Sequence, residues 1–158
     1  MKYTASLLFP VFLCFLSGCF TLDRNSIAEN EKTGISSIHG TYKSSVFHSI
    51  TTFPIKIDSK ELDFPGLKRQ DLHVFPIQPG IRSVQVQAQI IRYKVLFVGH
   101  YYADASIGFT ALPKKEYVLR SRLSGSDCFF WIEDAETNTK VTEEAKGALW
   151  DLPIRSGF

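Results

Sequence analysis

The chain is poor in the residues and patterns that usually announce chemistry. Its 158 residues include three cysteines, one methionine and four histidines. His39, His48, His73 and His100 are scattered, and no two stand at i, i+2 or i+4. The close ligand spacing of a zinc site is therefore missing. Neither Gly-x-Ser-x-Gly nor Ser-x-x-Lys occurs, so the common serine-nucleophile signatures are missing too. The acidic group Glu133, Asp134 and Glu136 lacks the spacing of an EF-hand and reads as a solvated turn. A formal net charge of +2 gives no electrostatic footprint for nucleic acid. There is no glycine period, no sustained heptad and no internal repeat, which excludes collagen, long coiled coil and repeat arrays. No apolar run is long enough to span a bilayer: the longest, Leu7 to Leu16, would rise about 15 Å as a helix against a hydrocarbon core of about 30 Å.

What is present begins with that short run. It follows Met1-Lys2 and leads into Leu16-Ser17-Gly18-Cys19, the layout of a secretory signal with a short apolar region. The tetrad resembles the bacterial lipobox: a branched apolar residue, two small residues that let extended backbone enter a peptidase groove, and an acyl-accepting thiol. The resemblance implies a lipoprotein signal peptide over 1–18, cleavage before Cys19, and lipidation of Cys19 as the membrane anchor. Two or more attached chains give stable anchoring. Residue 20 is Phe rather than the Asp associated with inner-membrane retention, so the resemblance points to an outer-membrane lipoprotein facing the periplasm. From Thr21 to about Thr33 the chain is polar and aperiodic, and residues 19–35 are expected to form the lipidated N-terminus and a flexible tether. With Cys14 in the signal and Cys19 acylated, only Cys128 is left. No internal disulfide is then available, and the domain must stand on its own core. Cys128 opens the apolar stretch Cys128-Phe129-Phe130-Trp131-Ile132 and reads as a small core hydrophobe rather than a nucleophile.

Residues 36–158 are expected to make one domain with a C-terminal tail, about the size of a single fold. Val84-Gln85-Val86-Gln87-Ala88-Gln89-Ile90 alternates apolar and amide side chains, the period of a strand with one buried face. Other strand candidates are 53–57, 72–77, 95–102, 107–111, 116–123 and 128–133, the last closing a hairpin-like connection to 139–142. Bends are expected at Gly99 and Gly108, and a short helix over 142–149. Asp58-Ser59-Lys60 and Gln78-Pro79-Gly80 read as turns. Strands at short spacing without intervening helices predict an all-β fold, a single antiparallel β-sandwich of about seven strands.

Four segments in order carry a further likeness: Ile57-Asp58-Ser59-Lys60, then Pro79-Gly80-Ile81-Arg82-Ser83-Val84-Gln85-Val86, then Tyr117-Val118-Leu119, then Trp131-Ile132-Glu133-Asp134. Together they resemble small bacterial envelope lipoproteins of unknown function with a PEGA-like β-sandwich. Ser59 stands where that pattern has Gly, and Arg82 where it has His. The resemblance implies a sandwich and a non-enzymatic envelope role.

Candidate contact residues follow from strand periodicity. Arg120 and Arg122 fall on one side of a strand, with Lys114 and Lys115 just before it and Arg92 and Lys94 elsewhere. Together they are a candidate contact for anionic headgroups or phosphates. Tyr101, Tyr102, Trp131 and Trp150 are a candidate stacking platform for glycan. No catalytic residue, metal site or cofactor is assigned. The expected function is a lipid-anchored binding or structural module with an envelope protein or polymer partner. The alternatives are an assembly lipoprotein of a secretion machine, and a periplasmic hydrolase built around His100 and Asp104.

Overall fold

The computed structural model describes residues 34–62, 74–93 and 98–151. The expected signal peptide and most of the expected tether, with Cys14 and Cys19, lie outside the described residues, as do His73, Lys94 and the tail from Leu152. The described residues form eleven strands and no helix: β1 Ser36–His39, β2 Thr41–Ser44, β3 His48–Ile57, β4 Lys60–Glu61, β5 Val74–Ile77, β6 Gly80–Tyr93, β7 Val98–Ala111, β8 Glu116–Ser124, β9 Asp127–Asp134, β10 Ala145–Ala148 and β11 Trp150–Asp151. One sheet has the order β10-β9-β8-β1-β5 and the other β11-β7-β6-β3-β2, with β4 paired to β3. The fold is an all-β sandwich. Its pairings are antiparallel except for β1 on β8, which is parallel.

The spine of the second sheet is the β6–β7 ribbon, in register from Gly80↔Ala111 to Tyr93↔Val98. At about 3.4 Å per residue it is about 45 Å long. Val84, Val86, Ala88 and Ile90 are fully buried while the intervening glutamines are half-buried on the outer face. They meet Ile38, Leu119, Phe130 and Ile132 from the first sheet, all fully buried. The β3–β4 turn holds Asp58 and Ser59 at φ 50° and 66°, two left-handed residues of the kind a tight two-residue hairpin requires. Arg82 secures this corner: its guanidinium pairs with Asp58 at 2.9 Å and donates to the Gln78 and Pro79 carbonyls.

The chain changes sheets at Gly40. A Cβ there would stand 2.6 Å from the Thr52 carbonyl oxygen, so the glycine lets the backbone cross from β1 into β2. The seven expected strands correspond to six, because 95–102 and 107–111 are joined in β7; the five others, β1, β2, β4, β10 and β11, are pieces of four residues or fewer. Gly99 and Gly108 do not break the chain: β7 runs through both. Between 139 and 142 there is a single bridge, Glu133↔Lys140, extended by the Val141 N–H to the Ile132 carbonyl.

The expected helix over 142–149 is not formed. Ala145–Ala148 is instead β10, paired with β9 from Ala145↔Phe130 to Ala148↔Asp127. Eight residues are too few to hold a helix alone, and β9 offers a ladder that satisfies the same backbone groups. Gly147 explains why the strand fits. A Cβ there would lie 2.4 Å from the Asp104 carbonyl oxygen on β7. Gly147→Ala must push two backbones apart, and we expect it to cost about 2–3 kcal/mol, within the range for overpacking. Urea denaturation read by tryptophan fluorescence checks this, with Gly125→Ala as a comparison whose strain comes from its φ of 63° alone.

Candidate binding surface

β8 and β9 carry opposite faces on alternate residues. Tyr117 and Leu119 point into the core, and Arg120 and Arg122 point out. On β9 the outward residues are Phe129, Trp131 and Glu133, with Arg120 across from Trp131 and Arg122 across from Phe129. The two arginines therefore share one face, as the strand period predicts.

Each has a carboxylate partner. Arg120 donates to Glu133 at 2.9 Å, and Arg122 to Glu144 at 2.6 Å. Trp131 donates its indole N–H to the other oxygen of Glu133 at 2.7 Å. Lys140 pairs with Glu144 at 2.6 Å and stands 4.4 Å over the Trp131 ring, while Arg122 lies 4.2 Å over Phe129. Burial pushes the Glu133 carboxyl up, but the Trp131 and Arg120 donors, with Lys140 nearby, outweigh it and hold it below the usual carboxylate range. Hydrogen bonds from Arg122 and Lys140 bring Glu144 down to about 2. Three cations and two carboxylates thus form a fixed and nearly balanced network.

A groove of about 510 Å³ opens beside this network. β2 contributes Thr41, Tyr42 and Lys43 to one wall, and β8 and β9 contribute Arg120, Ser121, Arg122, Trp131 and Glu133 to the other. Ile50 and Thr52 of β3 also line it. The groove exists because β1 pairs with β8 only as far as Val118 and then departs at Gly40. Thr41 Oγ1 donates to the Leu119 carbonyl at 2.7 Å. Beyond that bond no strand among the described residues pairs with this side of β8. Peptide groups alternate sides along a strand, so Ser121 and Leu123 present theirs on the same side as Leu119. The result is an open strand edge beside polar and aromatic side chains, a surface suited to receiving an extended chain by strand addition.

The other candidate residues lie apart. Lys115, at the far end of β8, is paired with Asp134 at 3.2 Å and Glu136 at 2.8 Å. Those bonds raise its pKa. Lys114 is exposed in the preceding turn at φ 61°. Arg92 lies 5.2 Å over Tyr101 and donates to the Gly125 carbonyl at 3.0 Å. The cations therefore do not gather into one uncompensated face. Of the four aromatics, Tyr102 and Trp150 stack at 5.1 Å on the outer face of the second sheet. Trp131 is on the opposite sheet, and Tyr101 packs against the core.

His100 and Asp104 stand four residues apart on β7, about 13 Å along the strand. Asp104 accepts from Gln87 at 2.8 Å and from the Trp150 indole at 3.2 Å. It does not orient the imidazole. Asp134, one of the residues considered for calcium, accepts the Thr137 and Glu136 N–H groups and pairs with Lys115. The Thr137 bond leads in holding its carboxyl below the usual range. Among the described residues no group of three or more His, Cys, Asp or Glu is placed to hold a metal. Tyr42, Lys43 and Thr52 belong to the groove without having been singled out in the sequence. Their placement follows from the sheet change at Gly40, and the only sequence signal for it is the glycine itself. Comparison with known proteins returns no matching family model, no matching curated sequence and no matching solved structure. The likeness to PEGA-like envelope lipoproteins thus has no support beyond the motifs that suggested it.

Proposed function

We propose that this chain is a lipid-anchored module of a bacterial cell envelope, held at the membrane through Cys19 and working by contact rather than catalysis. Its partner is an extended segment of an envelope protein, taken into the groove between β2 and β8. The open edge of β8 beside Arg120, Arg122 and Trp131 is the observation that carries the contact role. The lipobox Leu16-Ser17-Gly18-Cys19 supports the anchor, and Phe20 supports the periplasmic face of an outer membrane. Strand addition supplies affinity through main-chain hydrogen bonds, and the groove side chains select the sequence. Confinement to a surface raises the effective concentration of the module against partners in the same layer.

Two measurements test the two halves separately. Replacing Cys19 with Ser should leave the chain at precursor size and outside the lipid-modified fraction; an unchanged mass and distribution would overturn the anchor. A photo-crosslinking residue at Lys43 or Arg122 should yield a reproducible adduct in cells, while one at Gln85 on the opposite outer face should not. Adducts equal at both faces, or at neither, would overturn the groove.

A further inference from the structure

One end of the sandwich is apolar and basic in a way the groove does not account for. Val46 and Phe47, at the tip of the β2–β3 hairpin, are 84% and 75% exposed. Beside them Val98 at the start of β7 is 57% exposed and Tyr93 at the end of β6 is 39% exposed. These four residues are one surface, because the Tyr93 N–H donates to the Phe47 carbonyl at 2.8 Å and Tyr93 pairs with Val98. The hairpin is built to hold its tip in place: the Ser45 N–H donates to the His48 carbonyl at 2.8 Å, and the Ser45 hydroxyl meets both the backbone and the ring of His48.

The formal cations at this end are Lys43, which also lines the groove, and Arg92. Residues 41–50, 89–93, 98–102 and 124–126 contain these two and no Asp or Glu, and the nearest carboxylates are Asp127, across from Ser124, and Asp151. The first carboxylate beyond the β8–β9 turn, Asp127, is paired with Lys146 at 2.9 Å. Asp151 sits across from Tyr101 on the edge strand. Adjacent exposed apolar side chains, an amphipathic tyrosine and flanking cations are what an anionic bilayer surface selects. Acyl chains accept the apolar tip, and phosphates attract the cations. We infer that this end, led by Val46 and Phe47, seats in the headgroup layer of a membrane containing anionic lipid.

The inference goes beyond the anchor and does not require it, although the two are geometrically compatible. Ser36 enters at the opposite end of the ribbon, where its hydroxyl meets the Leu112 carbonyl. The chain from Cys19 to Ser36 has a contour of about 55–60 Å, longer than the ribbon of about 45 Å. A domain anchored at Cys19 can therefore turn its far end to the same membrane.

A chain of residues 20–158 contains every described residue and neither the signal nor the acyl-accepting thiol, so its behaviour is independent of Cys19. It should co-sediment with vesicles of phosphatidylcholine and phosphatidylglycerol and far less with phosphatidylcholine alone. Val46→Ser with Phe47→Ser should weaken that binding by at least about tenfold, as loss of two inserted side chains implies. Their exposure means the thermal melt should be unchanged, which separates lost contact from lost fold. An environment-sensitive dye on Phe47→Cys should shift to shorter wavelength on the anionic vesicles. Binding that ignores the double substitution, or is equal on neutral vesicles, overturns the inference. So does concentration-dependent self-association through the same residues without vesicle binding.

Discussion

Replacing Phe130 with Ala should cost the protein about 4 kcal/mol, whereas Phe129→Ala, one residue earlier, should cost about 1 kcal/mol. Phe130 is fully buried between the sheets, where removal of the ring leaves a cavity inside the core cluster it shares with Leu119 and Ile132. Phe129 points outward on the same strand and gives up its contact with Arg122 together with a half-buried ring. At a few degrees per kcal/mol for a domain of this size, the melting temperatures of the two variants should differ by about 10 °C. Calorimetry or denaturant titration reads the difference. Similar losses at both positions, or the reverse order, would mean that the face assignment of β9 is wrong, since a one-residue slip exchanges every inward and outward side chain.

That alternation was the most legible feature of the sequence. The β6 stretch of apolar residues and glutamines and the shared face of Arg120 and Arg122 are both consequences of the two-residue period, and both hold in the structure. β1, β2, β4, β10 and β11 were not legible, because pieces this short carry no measurable period and owe their conformation to the ladder they join, whereas β5 lies inside the expected strand 72–77. β10 is the clearest case. Its Ala-Lys-Gly-Ala sequence has weak intrinsic strand preference, and it becomes a strand through β9 on one side and the close approach of β7 at Gly147 on the other. The candidate surface was legible only in part. Arg120 and Arg122 could be placed on one face, but their neutralisation by Glu133 and Glu144 depends on the β8–β9 register and on the path of the chain beyond Lys140. The apolar tip is hidden in the sequence for a different reason. Val46 and Phe47 between polar residues resemble strand core in sequence, and only the position of the hairpin at the end of the ribbon exposes them. The tetrad Leu16-Ser17-Gly18-Cys19 is the opposite case, a resemblance to a lipobox that resides wholly in the sequence and lies outside the described residues.

In the chain of residues 20–158, Cys128 is the only thiol, and it should resist alkylation while the protein is folded. The side chain is fully buried at the start of β9, and burial pushes the thiol up to about 12, opposed only by a hydrogen bond with Ser121. At pH 8 this lowers the reactive thiolate fraction about a thousandfold relative to an ordinary thiol, before loss of access is counted. Iodoacetamide followed by intact mass should therefore show labelling at the rate of global opening under native conditions and within minutes in urea. Rapid native labelling would instead expose Cys128 and revive it as a nucleophile. The same burial sets an alkaline limit on stability. Above an unperturbed thiol pKa of 9.0, the unfolded chain releases a proton that the folded chain keeps until about 12. The folded state then binds more protons, so stability falls as pH rises through that window, by up to about 1.4 kcal/mol per pH unit from this group. Cys128→Ala removes the titration and should flatten the loss, even though it gives up a sulfur contact and lowers stability at neutral pH. A variant that loses stability between pH 9 and 11 as steeply as the parent would show that the thiol is already ionised, or already exposed, in the folded sandwich.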